Sequence, residues 1–91
     1  MGTLVARRVV VSGRVQGVGY RYLLEREAAV AGLAGWVRNT AEGTVEAVLE
    51  GSPSAVEDVL RWMRHGPRGA VVVSVDVTDV APQARTGFTI R

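Results

Sequence analysis

A glycine-rich segment near the amino terminus carries the residues best suited to chemistry. It reads Ser12-Gly13-Arg14-Val15-Gln16-Gly17-Val18-Gly19-Tyr20-Arg21 and joins a valine-rich strand pattern to a helical pattern. Glycines allow successive backbone N–H groups to turn inward around an anion, and a helix start adds unpaired donors and partial positive charge. The planar guanidinium of Arg21 can bind a phosphate edge through two parallel hydrogen bonds. The segment therefore indicates a phosphate-binding loop, or else a plain tight turn with Arg21 in solvent.

The glycine spacing excludes two common nucleotide motifs. No Gly-Lys-Ser/Thr follows the glycines, so the segment is not a P-loop, and Gly-x-Gly-x-x-Gly is absent as well.

A second candidate group lies at Gly35-Trp36-Val37-Arg38-Asn39-Thr40. Strand alternation places Asn39 on the same face as Val37, which is the face that the helices are expected to cover. A primary amide at that position needs hydrogen-bond partners and could face the same pocket as Arg21. The alternative is that Asn39 simply begins a hairpin turn, where asparagine is common.

The remaining pattern predicts the elements that must position these side chains. Strands are expected over residues 5–15, 33–40, 44–50 and 71–78, with a short edge strand at Phe88 and Ile90; helices are expected from Tyr20 to Gly32 and from Ser52 to Gly66. The order β-α-β-β-α-β predicts an α+β, ferredoxin-like sandwich, in which two helices cover one face of an antiparallel sheet. A chain of 91 residues is expected to form one domain, 1–91.

Together the two segments resemble the signatures of the acylphosphatase family. Residues 13–21 resemble the first signature, and residues 35–39 with Gly43, Val45 and Gly51 resemble the second, in the family's order and spacing. The resemblance implies an enzyme that hydrolyses the carboxyl–phosphate anhydride of a small-molecule acylphosphate, giving a carboxylate and inorganic phosphate. It implies no cofactor and no metal, and inorganic phosphate should inhibit as the product.

The same resemblance implies a role for each site residue. Arg21 would bind the phosphate and Asn39 would orient the attacking water, with Thr40 as a supporting hydroxyl. Backbone N–H groups would cradle the phosphate oxygens at Gln16, Gly17, Val18, Gly19 and Tyr20. Tyr20 stands where the family usually has Phe or Met, so its hydroxyl needs water or a partner.

Neither signature contains a histidine or a carboxylate, so catalysis is expected to rest on positioning and charge stabilisation. The substrate's own phosphate oxygen would take the proton of water. His65, the one histidine, lies at a predicted helix end, where capping or solvation is expected.

Composition limits the partners and the location of the protein. There is no cysteine, and the amino terminus is too interrupted by arginines for a signal peptide or membrane helix, which favours a cytoplasmic setting. A monomer is expected because it needs no special assumption. All eleven basic residues are arginines, but they are spread along the chain and aromatic residues make up only 5%. A nucleic-acid-binding module of the same fold is therefore the less favoured alternative. Another alternative is an accessory domain like those of larger maturation proteins that handle carbamoyl phosphate, but a stand-alone enzyme is expected because nothing follows Arg91.

Overall fold

The computed structural model describes residues 3–91. The predicted domain starts at residue 1, so its first two residues lie outside the described part. The elements are β1 (Val5–Arg14), α1 (Tyr20–Ala31), β2 (Ala34–Asn39), β3 (Val45–Gly51), α2 (Pro53–Met63), β4 (Val71–Val80) and β5 (Phe88–Ile90). This order is the one predicted from the hydrophobic periodicity.

The strands form one sheet in the order β4-β1-β3-β2-β5. The pairs β4–β1, β1–β3 and β3–β2 are antiparallel, which confirms the ferredoxin-like α+β fold. The last strand, β5, pairs in parallel with β2, so the sheet as a whole is mixed. Local alternation could not indicate this pairing, because the orientation of an edge strand depends on where the preceding loop runs.

One hydrophobic core lies between the sheet and the two helices. The strands contribute mainly valines to this core, and each helix contributes one stripe of apolar side chains. The fully buried members of these stripes include Leu24 and Ala28 of α1, and Val56, Val59, Leu60 and Met63 of α2. Fully burying one such large side chain stabilises the fold by roughly 1.5–3 kcal/mol. Ser52 caps α2, since its hydroxyl accepts a hydrogen bond from the backbone N–H of Ala55.

The outer face of β3 departs from its predicted exposure. Strand alternation alone places Glu46, Val48 and Glu50 on the outward face, yet each is at most 5% exposed. Arginine side chains cover Glu46, and the connection between β4 and β5 covers Glu50. The simple inward–outward rule fails here because the outer face is itself partly covered.

The strand β4 also departs from the single alternation predicted over residues 71–78. Its register with β1 shifts between Ser12 and Gly13, so that Val73 is an extra residue on β4. As a result Val72 and Val75 both pack against the core, while Val73 is exposed.

Candidate functional site

The loop between β1 and α1 has a conformation that suits glycine. Gly17 and Gly19 have φ angles of 76° and 80°, in the left-handed region that side chains disfavour. A Cβ at either position would meet no described atom within 4 Å, so backbone conformation, rather than lack of space, favours glycine there. The loop therefore enters α1 through two residues in the left-handed region, and this geometry can direct backbone N–H groups toward an anion.

The start of α1 leaves its N–H donors free for a ligand. Gly19 is the N-cap, and within the described residues no side chain caps it. The first turn contains no acidic residue that would occupy the position of an anion. The first intrahelical bond runs from the Leu23 N–H to the Gly19 carbonyl, so earlier N–H groups have no intrahelical acceptor.

Arg21 lies in this first turn and lines a pocket beside the loop. Its Nη1 donates a long hydrogen bond of 3.4 Å to the main-chain oxygen of Arg91. This contact uses one of five guanidinium N–H donors, so the other donors remain able to bind an oxyanion.

Asn39 ends β2 and lines the same pocket. Its Oδ1 is buried and accepts no hydrogen bond from any described residue. A buried amide oxygen without a donor is uncommon in a folded protein and suits a position where a ligand or water donates instead. Asn39 therefore offers an acceptor at the site.

The pocket has a volume of about 180 Å³, far more than one water molecule requires. Its lining includes five of the predicted site residues, namely Gly17, Gly19, Tyr20, Arg21 and Asn39, and three residues that were not predicted, namely Val15, Tyr22 and Ile90. Arg21 and Asn39 thus open onto one space, as expected from strand alternation. Gln16, Val18 and Thr40 are not part of this lining.

Gln16 instead connects the loop to the β2–β3 hairpin through its side chain. Its Nε2 donates to the carbonyl oxygens of Thr40 at 2.9 Å and Thr44 at 3.0 Å. The Thr40 hydroxyl pairs with the Thr44 hydroxyl at 2.6 Å, which braces the same hairpin. Because Asn39 precedes this hairpin, these bonds fix its distance from the glycine loop.

Tyr20 is buried, and its hydroxyl has a protein partner. It donates a 2.7 Å hydrogen bond to the carbonyl oxygen of Met63, and its ring packs against Trp62 with centroids 5.3 Å apart. Burial raises the pKa of the Tyr20 hydroxyl well above its usual value. The side chain therefore joins the start of α1 to the end of α2.

Sequence reasoning missed two side chains that complete the pocket. Tyr22 follows Arg21 and is 60% exposed at the pocket, and Ile90 of β5 forms another part of the lining. Tyr22 lay one residue past the quoted signature. Ile90 had no local signal, since its place depends on the parallel pairing of β5 with β2.

Comparison with known proteins shows the family to which the chain is related. The family model described as acylphosphatase matches residues 7–90. The chain belongs to the acylphosphatase family. An acylphosphatase from a Nocardioides species is 52% identical over 83 residues, which cover 91% of this chain and 84% of the relative. Many further curated relatives carry the same description, and the chain is an enzyme of this family.

Solved structures give the same result for the fold. The acylphosphatase of Bacillus subtilis superposes with a TM-score of 0.93 at 36% identity, covering 98% of this chain and 99% of that one. Full-length HypF, in a phosphate- and nucleotide-bound form, contains a similar region with a TM-score of 0.94 at 26% identity. That region is 12% of the HypF chain and is matched by all of this chain.

Two features are absent from residues 3–91. Within this range no three His, Cys, Asp or Glu side chains are grouped as they would be to hold a metal ion. No helix in the same range has the length and apolar character needed to cross a membrane. The side chain of His65 is exposed after the end of α2, away from the pocket lining.

Proposed function

We propose that the pocket hydrolyses an acylphosphate by direct attack of water on phosphorus, with no metal ion. The observation that carries the proposal is one space bordered by both the Arg21 side chain and the unpartnered Oδ1 of Asn39. The first supplies positive charge for a phosphoryl group, and the second supplies an acceptor for a water O–H.

The phosphoryl group would lie against the glycine loop and the start of α1. Two parallel hydrogen bonds from Arg21 and several backbone N–H donors from residues 16–20 would hold its oxygens. The charge that spreads over these oxygens in the transition state is then stabilised by groups already in place. The lack of a carboxylate in the first turn of α1 supports this placement, because a negative side chain would repel the ligand.

Asn39 would hold the attacking water on the side of phosphorus opposite the leaving carboxylate. The water oxygen forms a bond to phosphorus while the phosphorus–oxygen bond to the carboxyl group breaks and the carboxylate leaves with the electron pair. The proton of water passes to a phosphate oxygen of the substrate. A carboxylate is a good leaving group, so no general acid is required, and positioning of water supplies much of the rate increase.

We also propose that the protein acts as a cytoplasmic monomer without a nucleic-acid partner. Both tryptophans, whose rings could stack on bases, are already engaged, since Trp36 lies under the Arg91 guanidinium and Trp62 packs on Tyr20. Arg8 and Arg38 on the open sheet face are paired with Glu46. Retention on RNA with a steep salt dependence would contradict this part of the proposal.

Hydrolysis of acetyl phosphate in the presence of excess chelator tests the central proposal. Arg21→Ala should lower turnover by on the order of 10²–10³ and weaken inhibition by inorganic phosphate, since it removes a preorganised donor. Arg21→Lys should restore little of either, because a point charge lacks the planar fork.

Arg26→Ala is the matched control. It removes the same charge from the same helix, and Arg26 is exposed and does not line the pocket. Its turnover and phosphate inhibition should stay near those of the wild type. Equal losses in the Arg21 and Arg26 variants, or loss of wild-type activity with the chelator, would refute the proposal.

A further inference from the structure

Glu50 is an almost completely buried carboxylate far along the sequence from the glycine loop. It lies on the central strand β3 and is 3% exposed. It accepts hydrogen bonds from the backbone N–H groups of Gln83 and Arg85, each at 2.9 Å. The Arg85 guanidinium adds a 2.6 Å charged hydrogen bond to Oε1. Three donors from one short segment therefore converge on a single side chain.

That segment, residues 81–87, has to cross the sheet. β4 and β5 lie at opposite edges, so the connection passes β1, β3 and β2 before β5 begins. Glu50 holds it near the middle of this path. We call residues 81–87 the crossover.

The backbone of the crossover is adapted to this contact. Ala84 has a φ angle of 53°, the one described non-glycine residue with positive φ. A side chain in the left-handed region is strained unless its surroundings offset the strain. Ala84 lies between the two residues whose N–H groups bind Glu50, and a left-handed residue at such a position can direct neighbouring N–H donors at one anion.

The crossover delivers β5 to the functional pocket. β5 has only three residues, which is short for a strand that must hold its own place. Its flanks are fixed by two backbone bonds, from the Gly35 N–H to the Gly87 carbonyl and from the Arg91 N–H to the Val37 carbonyl. Ile90 then lines the pocket.

The next residue after β5 reaches Arg21 directly. The main-chain oxygen of Arg91 accepts the hydrogen bond from the Arg21 guanidinium, and the Arg91 guanidinium lies 4.3 Å from the centre of the Trp36 ring. A displacement of β5 would therefore move one wall of the pocket and one acceptor of the phosphate-binding guanidinium together.

We propose that Glu50 is a positioning residue for the pocket: by binding the crossover it fixes β5, and β5 in turn fixes Ile90 and the guanidinium of Arg21. The part concerning activity rests on the proposed function, whereas the part concerning β5 does not. Glu50 touches no substrate in this scheme.

Glu46 provides a matched control on the same strand. It is also a buried carboxylate, 5% exposed, four residues earlier and on the same face of β3. Its partners Arg8 and Arg38 belong to β1 and β2, so it holds the sheet but not the crossover. Each variant, Glu50→Gln or Glu46→Gln, removes one buried negative charge. Each also leaves at least two hydrogen-bond donors without a carboxylate acceptor.

Amide hydrogen exchange by NMR tests the first part of the proposal, that Glu50 fixes β5. In Glu50→Gln the N–H groups of Gly35 and Arg91 should exchange faster than in the wild type. The N–H groups that bond between β1 and β3 should keep their wild-type protection once any change in the global free energy of unfolding is subtracted. In Glu46→Gln any loss of protection should be spread over the sheet. A merely structural role for Glu50 predicts the spread pattern in both variants.

Steady-state kinetics test the second part of the proposal, that β5 in turn positions the pocket. Glu50→Gln should lower turnover of acetyl phosphate and weaken phosphate inhibition by roughly tenfold to a hundredfold, because small displacements of positioned groups are costly. Glu46→Gln should keep both near wild type. Arg85→Ala leaves both backbone donors on Glu50, so it should change turnover and phosphate inhibition in the same direction but by less. This variant replaces Glu50→Gln in the test if Glu50→Gln does not fold.

Unchanged exchange at Gly35 and Arg91 in the Glu50 and Arg85 variants would overturn the proposal, and so would normal kinetics despite faster exchange. If the wild type itself fails to hydrolyse acetyl phosphate, the proposed function fails, while the exchange pattern still decides whether Glu50 fixes β5.

Discussion

The amide of Asn39 shows how one side chain can be prepared for a ligand by leaving a hydrogen bond unmade. Its Oδ1 is buried and no described residue donates to it, and a buried acceptor that stays unpaired costs roughly 1–3 kcal/mol. A water molecule that donates to this oxygen recovers that cost. In the proposed mechanism, this hydrogen bond would turn the water oxygen away from Asn39 and toward a phosphoryl group held by Arg21.

Asn39→Ala should therefore lower turnover much more than it weakens phosphate binding. Loss of the acceptor leaves the attacking water poorly oriented, with an expected decrease in turnover on the order of 10²–10³. Phosphate inhibition should change little, since Arg21 and the loop remain. Steady-state kinetics of acetyl phosphate hydrolysis with inorganic phosphate as inhibitor separate the two effects, and near-native turnover in this variant would exclude the water-orienting role.

At the scale of elements, the site depends on two contacts that join segments distant in sequence. The Gln16 side chain joins the glycine loop to the β2–β3 hairpin. The Tyr20 hydroxyl joins the start of α1 to the last residue of α2. Through them, the loop that would bind the phosphate is held against both the strand that carries Asn39 and the second helix.

Gln16→Ala should separate the two halves of the site. It removes two donors to the Thr40 and Thr44 carbonyl oxygens while keeping the backbone of the loop. We expect turnover to decrease roughly tenfold or more through the displaced hairpin, with a smaller change in phosphate inhibition.

Gln83→Ala is the control for this prediction, since only the backbone N–H of Gln83 makes a described hydrogen bond and the residue is exposed. If the two glutamine variants behave alike, the side-chain contact of Gln16 does not position Asn39.

These elements also show which parts of the structure the sequence could predict. Periodicity and capping residues gave the helices, the strands and the common face of Val37 and Asn39, because these depend on local spacing. The register shift beside Val73, the parallel pairing of β5 and the burial of Glu50 depend on contacts between distant segments. For that reason the sequence indicated Arg21 and Asn39 but not Ile90 as part of the pocket.

At the scale of the whole molecule, two buried carboxylates hold the outer face of the sheet. Burial raises the pKa of Glu46, but hydrogen bonds from Arg38 and Arg8 and their charges outweigh this and hold it below its usual value. The backbone N–H of Gln83 lowers the pKa of Glu50, burial opposes this, and the N–H and guanidinium of Arg85 lower it further. Both groups are thus stabilised as carboxylates in the folded state.

This predicts that the protein loses stability in acid. Because the folded pKa values of Glu46 and Glu50 are depressed, the unfolded chain binds protons first as pH falls. Above about pH 5 these pairs should make their full contribution to the free energy of unfolding. The free energy of unfolding should begin to decline near the unfolded glutamate pKa of about 4.3 and continue to decline until the folded carboxylates are protonated. Urea unfolding followed at a series of pH values measures this slope.

The glutamine variants show whether these two residues produce that decline. Each of Glu46→Gln and Glu50→Gln should be less stable than the wild type at neutral pH, and each should show a shallower loss of stability in acid, because one linked proton is removed. The differences between wild type and variants should therefore shrink as pH decreases. A decline of unchanged steepness in both variants would assign the acid sensitivity to other carboxylates and contradict the role given to the Arg–Glu pairs.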